Sequence, residues 1–453
     1  MLTVCLKAKR FTFGLDSSVI KTTSMKNILL LLLLLSLNTF GQTASTQKSA
    51  PLIEASPESV GMSSERLQRV DAFLQKSVDE KVVPGAVAII CRNGKIVYHK
   101  AFGKADHPGN RAMKVDDIFR IASMSKAITA TAVMMLWEEG HFQLDDPISK
   151  YIPEFANPTV LDKFVMADSS YTTKPAGREI SIRHLLTHTS GIGYGVIDGN
   201  EQMKAIYHKA GIVDLFTTEN VKIGDNIKKL AKLPLHHTPG EKYTYSEGLD
   251  VLGYLVEVVS GMSFDGFLRK RLFEPLGMND TYFYVPEAKA ARLVKIQHKP
   301  NGQWAHFTDH FYDPEYPVKG AKAFYSGGAG LSSTAKDYAT FLQMYLNKGE
   351  LNGKRLLSRK TVESIMMNQV GTLLGENSDD NYGLAFGLLT EKGQAKGGLG
   401  SKGTFVWGGY FNTSYFADPQ ENIIGVIMKQ TQKVNDENHS GKFRKLVFQA
   451  VDN

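Results

Sequence analysis

Between Phe119 and Trp137 the chain reads Phe-Arg-Ile-Ala-Ser-Met-Ser-Lys-Ala-Ile-Thr-Ala-Thr-Ala-Val-Met-Met-Leu-Trp. After Ser123 this run is small or apolar on almost every side, and no proline interrupts it. That pattern predicts a helix buried all round, with the rest of the chain arranged about it, and not a helix laid on a surface. Ser123 and Lys126 stand three residues apart, so they project from one side of its N-terminal end. A buried lysine is costly unless it is paired or neutral. A serine nucleophile with a lysine base would account for it. Spacing alone does not establish that chemistry, because Ser-x-x-Lys recurs at Ser18 and Lys21, Ser45 and Lys48, and Ser333 and Lys336. The pair needs partners elsewhere in the chain.

The 453 residues are 42% hydrophobic and 22% charged, an ordinary globular balance. The formal charge is +7, but Lys7, Lys9, Arg10, Lys21 and Lys26 against Asp16 put +4 of it in residues 1–41, leaving +3 for the rest. That remainder is too mild and too evenly spread to suggest a nucleic-acid partner. Met25-Lys-Asn-Ile followed by a run of leucines to Leu37, then Asn38-Thr-Phe-Gly41, reads as a signal peptide cleaved after Gly41, with Met25 as the expected start of translation. The run is short for a bilayer span, so no stable membrane anchor is expected after cleavage; a retained N-terminal anchor is the alternative. Residues 1–41 are thus read as leader and signal peptide. Cys91 is the only cysteine beyond the leader, which rules out an internal disulfide there, and no cysteine follows the apolar run to carry a lipid. These features fit an exported bacterial enzyme, periplasmic or extracellular.

Residues 42–57 are polar and read as a linker, and residues 58–451 as one domain. Ser63 caps a helix carrying Leu67, Val70, Phe73 and Leu74. Two β-rich runs, Gly85 to Cys91 and Lys95 to Phe102, flank Arg92-Asn93-Gly94, a strong hairpin signal. Helical patterns follow at Ile182 to His188, through residues 200–235, from Leu249 to Ser260 and from Thr334 to Asn347. β character returns only at Lys402 to Trp407, Thr413 to Ala417 and Asn422 to Met428, before a last helix from about residue 435. The expected fold is therefore α/β, of the α+β kind. An antiparallel sheet is built from both terminal segments (about 58–120 and 320–451) and flanked by helices, with a mostly helical insertion (about 121–319) beside it. A site is expected in the cleft between the two parts.

A serine hydroxyl needs a neighbouring base, and lysine can be that base only when neutral, which an apolar helix favours. A second proton carrier is also needed, because the leaving group must be protonated in turn. Two stretches could supply the rest of a site: Pro239-Gly-Glu-Lys-Tyr-Thr-Tyr-Ser-Glu247, just before a helix, and Trp407-Gly408-Gly409 at the end of a strand. Together with Leu144-Asp-Asp-Pro147, Arg183-His-Leu-Leu-Thr-His-Thr-Ser-Gly191, Phe273-Glu-Pro-Leu-Gly-Met278 and Gly327-Gly-Ala-Gly-Leu-Ser-Ser-Thr334, they occur in an order that resembles the serine β-lactamase and penicillin-binding-protein superfamily, within it the class C-like carboxylesterase branch. The resemblance implies that Ser123 is the acylated nucleophile, Lys126 its base and Tyr245 a proton shuttle. It also implies that Trp407, Gly408 and Gly409 border the substrate and that the backbone N–H groups of Ser123 and Tyr410 form the oxyanion hole.

Two positions depart from the β-lactam-processing pattern. Glu247 stands where those members carry Asn, and Trp407-Gly-Gly where they carry Lys-Thr/Ser-Gly. Without that lysine a substrate carboxylate loses its anchor, and Glu247 facing the cleft would repel it. An indole suits an acyl chain or aromatic ester. His184 and His188 have metal-like i, i+4 spacing but no intervening Glu, so they read as structural. No phosphate loop, metal cluster or repeat appears, so no metal or cofactor is expected. The reading is an exported serine hydrolase with an acyl-enzyme, a carboxylesterase or transesterase on small or medium acyl esters. The alternatives are a β-lactamase or D-alanyl peptidase, and a non-catalytic ligand-binding protein of the same fold.

Overall fold

The computed structural model describes residues 48–309, 311–435 and 438–453. The expected signal peptide and most of the linker lie outside the described residues. The end of the expected linker is not loose: Leu52 is buried, and Ile53–Glu54 (β1) pairs in parallel with Lys95 and Ile96.

Gly85–Arg92 (β2) and Lys95–Asp106 (β3) form the hairpin that Asn93-Gly94 signalled, with both turn residues at positive φ (50° and 73°). Those are the angles that a tight right-twisting hairpin turn needs. The C-terminal strands are Asp380–Tyr382 (β4), Gly387–Leu389 (β5), Phe405–Gly408 (β6), Ser414–Asp418 (β7) and Ile423–Met428 (β8). They join the hairpin in one sheet of order β1-β3-β2-β8-β7-β6-β5-β4, with Arg111–Ala112 added beside β3. Every pairing is antiparallel except that of β1, so the sheet is mixed at one edge only. In its interior is the β2–β8 pair, where Cys91 lies opposite Ile424 and Ile89 opposite Val426.

Both of these strands are buried on both faces, because helices cover each side. Ala88, Ile90, Ile423 and Ile427 pack with Leu67, Val70 and Leu74 of helix α1 (Ser64–Asp79) and with Phe443 and Val447 of the C-terminal helix His439–Phe448. Val87, Ile89, Cys91 and Val426 face the main core, which holds helix α2 (Ser125–Glu138). Every residue of α2 from Ser125 to Leu136 is buried. The all-round apolar run therefore does what its composition predicts. Helix α3 (Gly248–Ser260), closed by Gly261 at φ 68°, packs beside it.

Two local expectations change. The helix does not begin at Ser123: Ala122–Met124 forms a 3₁₀ turn first, with Ala122 at φ 43°. The mostly helical insertion also carries a hairpin that was not expected. Thr159–Val165 and Ser170–Pro175 make a hairpin whose residues are mostly solvent-facing, so no buried alternation marked it in the sequence.

Candidate active site

Ser123 sits on a turn that is pinned from both sides. Before it, Phe119–Arg120 pairs with Ser332–Ser333, and the wholly buried Arg120 donates through Nε to the Pro314 carbonyl and through Nη1 to that of Val294, both at 2.7 Å. After it, the Tyr338 hydroxyl donates to the Met124 carbonyl at 2.9 Å. The left-handed conformation of Ala122, sparsely populated for any residue with a Cβ, is held between these anchors, as backbone strain at functional sites commonly is.

Three side chains meet at this turn. The Tyr245 hydroxyl donates to Ser123 Oγ at 2.8 Å. Lys126 Nζ lies 3.4 Å from the same oxygen and donates to the Gly328 carbonyl at 2.8 Å. Lys126 is only 1% exposed, and its Nζ stands 4.6 Å from the centre of the Tyr245 ring and 5.6 Å from that of Tyr194. The rings screen the amine from water while presenting π faces to it.

Tyr245 comes from the loop entering α3, and His188 fixes that loop. The Thr244 N–H donates to the His188 carbonyl at 2.7 Å, and the Ser246 N–H to His188 Nδ1 at 3.2 Å. The imidazole also packs 4.6 Å from the Tyr245 ring. Burial, and then the Lys126 charge, hold the His188 pKa well below its usual range, so the ring is neutral. His184 instead closes a capping box with Ser181, accepting its N–H through Nδ1 at 3.1 Å. The two histidines that share metal-like spacing thus serve two different turns.

On the opposite wall, the Trp407 indole lies between Tyr245 (5.9 Å) and Tyr382 (5.4 Å). Gly409 is where the strand meets the Ala122–Met124 turn. A Cβ there would stand 2.4 Å from the Ile121 carbonyl oxygen and 2.2 Å from Thr413 Oγ1, closer than atoms can approach. Only glycine lets the strand end come this near, and it brings Tyr410 alongside the Ile121–Ser123 segment. The two segments whose N–H groups were expected to form an oxyanion hole therefore lie side by side. The Tyr410 carbonyl accepts from the Gln432 amide. A cavity of about 530 Å³ opens here, lined by Ser123, Tyr245, Trp407, Gly408 and Ser414 among others.

Glu247 does not border this cavity as expected. It is 1% exposed, its N–H is tied to the Gly193 carbonyl at 3.1 Å, and its carboxyl turns inward to Asp214. Burial, followed by the Asp214 charge, raises its pKa well above the usual carboxyl range, so the group is held protonated. It cannot repel an anionic substrate from there. Sequence reading also missed Tyr194, Gly328 and Asp250, which surround Lys126. Gly328 lay within a recognised segment without a role, and Tyr194 is a lone loop tyrosine with no periodic signal.

A serine beside the end of a sheet strand, met by a buried lysine and a tyrosine, is the arrangement of a serine hydrolase. The chain belongs to the Beta-lactamase family, which matches residues 70–449. Esterase EstB of Burkholderia gladioli is 31% identical over 377 residues, covering 80% of this chain and 90% of its own. A putative D-alanyl-D-alanine carboxypeptidase of Escherichia coli K12 is 28% identical over 425 residues, 88% of this chain and 89% of its own. Among solved structures, EstCE1, described as a hydrolase with promiscuous acyltransferase activity, superposes with a TM-score of 0.73 at 28% identity, over 86% of this chain and 98% of its own.

Proposed function

We propose that the protein is an exported carboxylesterase that works through an acyl-enzyme on Ser123. The observation that carries this reading is the convergence of Tyr245 OH and Lys126 Nζ on Ser123 Oγ, at 2.8 and 3.4 Å, beside an aromatic wall. Neutral Lys126 takes the serine proton as Oγ bonds to the ester carbonyl carbon. The carbonyl oxygen, now negative, is stabilised by the N–H groups of Ser123 and Tyr410. The proton then passes through Tyr245 to the departing alcohol as its C–O bond breaks. Water, or a second alcohol, reverses these steps to release the acyl group.

The esterase and acyltransferase descriptions of EstB and EstCE1 support ester chemistry. The Escherichia coli relative keeps D-alanyl peptide chemistry as the second reading. Trp407 in place of a carboxylate-binding lysine weighs against it, because a neutral indole offers no positive charge to a peptide's terminal carboxylate. Export rests on the lysine-led apolar run at residues 25–37. The test is a panel on purified protein without residues 1–41: short and long aryl esters, a chromogenic cephalosporin, a D-Ala-D-Ala peptide and a fluorescent penicillin. Ester turnover without penicillin labelling is expected. Ser123→Ala should abolish it, and Lys126→Ala should lower kcat by about 10²–10⁴-fold. Penicillin labelling without ester turnover would favour the second reading.

A further inference from the structure

Lys126 is 1% exposed, and if it takes the serine proton it becomes an ammonium ion with almost no water to solvate it. Such a charge is costly without a counter-charge or several strong acceptors. The Gly328 carbonyl supplies one acceptor at 2.8 Å, and the Tyr245 and Tyr194 rings supply π faces. A buried carboxyl lies behind that glycine. Asp250, in the first turn of α3, is 3% exposed; its Oδ1 accepts the Gly328 N–H at 3.4 Å, and its buried Oδ2 has no hydrogen-bond partner among the described residues. A Cβ on Gly328 would stand 2.6 Å from Asp250 Oδ2 and 3.5 Å from Lys126 Nζ. Carboxylate and amine thus converge on the space that a missing side chain leaves, no more than about 6 Å apart, within the range at which opposite charges bias protonation.

We infer that Asp250 is a positioning residue for Lys126: its carboxylate, acting across the bare face of Gly328, stabilises the lysine's ammonium form while the serine proton rests on it. This rests on Lys126 being the base. Asp250 itself takes no proton. The proton leaves Ser123 Oγ for Lys126 Nζ as the bond to the acyl carbon forms, and later goes to the departing alkoxide, so Asp250 only lowers the energy of the state between. The other titratable groups around this pocket are Tyr245 and Tyr194 over the amine, neutral His188 behind Tyr245, and the Glu247–Asp214 pair beyond Asp250. Burial raises the Asp250 carboxyl to about 6 against the opposing pull of the Ser326 hydroxyl and the Lys126 charge, which leaves it mostly ionised at neutral pH.

Asp250→Asn separates charge from shape, because the amide oxygen can still accept the Gly328 N–H. Hydrolysis of p-nitrophenyl acetate would be followed from pH 5 to 9 alongside thermal melting. We expect kcat to fall about 10- to 100-fold with KM nearly unchanged. The acid limb of kcat should move to lower pH, since without the negative charge the lysine takes up a proton less readily. Asp250→Glu, which keeps the charge, should retain the wild-type limb even if its stability falls. An unmoved limb or unchanged kcat in Asp250→Asn, or a limb displaced equally in Asp250→Glu, would overturn the inference. A fully active Lys126→Ala would instead remove the reading beneath it.

Discussion

At the scale of single residues, neighbours decide what each titratable group does. Lys126, Asp250 and Glu247 are all nearly inaccessible to water, yet each meets a different partner: a serine and a carbonyl, a glycine's open face, and a second carboxyl. Glu247 has a measurable signature. Because its folded pKa is raised above the unfolded value, it adds stability in acid, and that contribution declines as pH rises from about 4.3 through its raised folded value. Glu247→Gln cannot ionise and escapes the decline. Its melting temperature relative to wild type should therefore rise steadily between pH 5 and 9, and a constant difference would contradict a protonated Glu247. The same position shows the limit of reading a site from spacing. Ser123, Lys126 and Tyr245 were legible because residue type and order carried them. The direction in which Glu247 points depends on the Gly193 carbonyl that tethers its backbone, and nothing in the local sequence states that contact.

At the scale of elements, close approach is controlled by glycine and by one strained alanine. The 3₁₀ turn of Ala122–Met124 and the end of β6 touch at Gly409, where a methyl group would collide with the Ile121 carbonyl as well as with the Thr413 hydroxyl. Gly409→Ala should push the strand end away from Ser123, costing about 1–3 kcal/mol of stability and lowering kcat about 10²-fold through misplacement of the proposed oxyanion donors. Denaturant unfolding and ester kinetics on one preparation would check both, and an unaltered kcat would mean that the strand end does not border the reacting carbonyl. Elements with a buried face or a special turn were legible: α2 from its unbroken apolar run, the β2–β3 hairpin from Asn93-Gly94, and α3 from its apolar spacing and closing Gly261. The Thr159–Pro175 hairpin was not, because its side chains mostly meet solvent and so leave no alternating pattern.

At the scale of the whole molecule, the sheet has its middle where the chain has its ends. β8 runs between β2 and β7 with all six residues buried. A chain ending at Asp418 would leave both neighbours with unpaired edges and uncovered apolar faces, which favours aggregation. Such a truncation should be insoluble or protease-sensitive, and a soluble, protease-resistant product would show that the N-terminal hairpin can be completed otherwise. The β2–β8 pairing also has a temporal side. During synthesis the first hairpin leaves the ribosome long before its central partner exists, so native closure waits for residues 423–428 and depends on contacts of very high sequence separation. Folding is therefore expected to be slow and post-translational, with helper proteins shielding β2 in the interval. For a chain threaded unfolded across a membrane, as proposed above, that enforced wait keeps the polypeptide in a translocatable state until it has arrived.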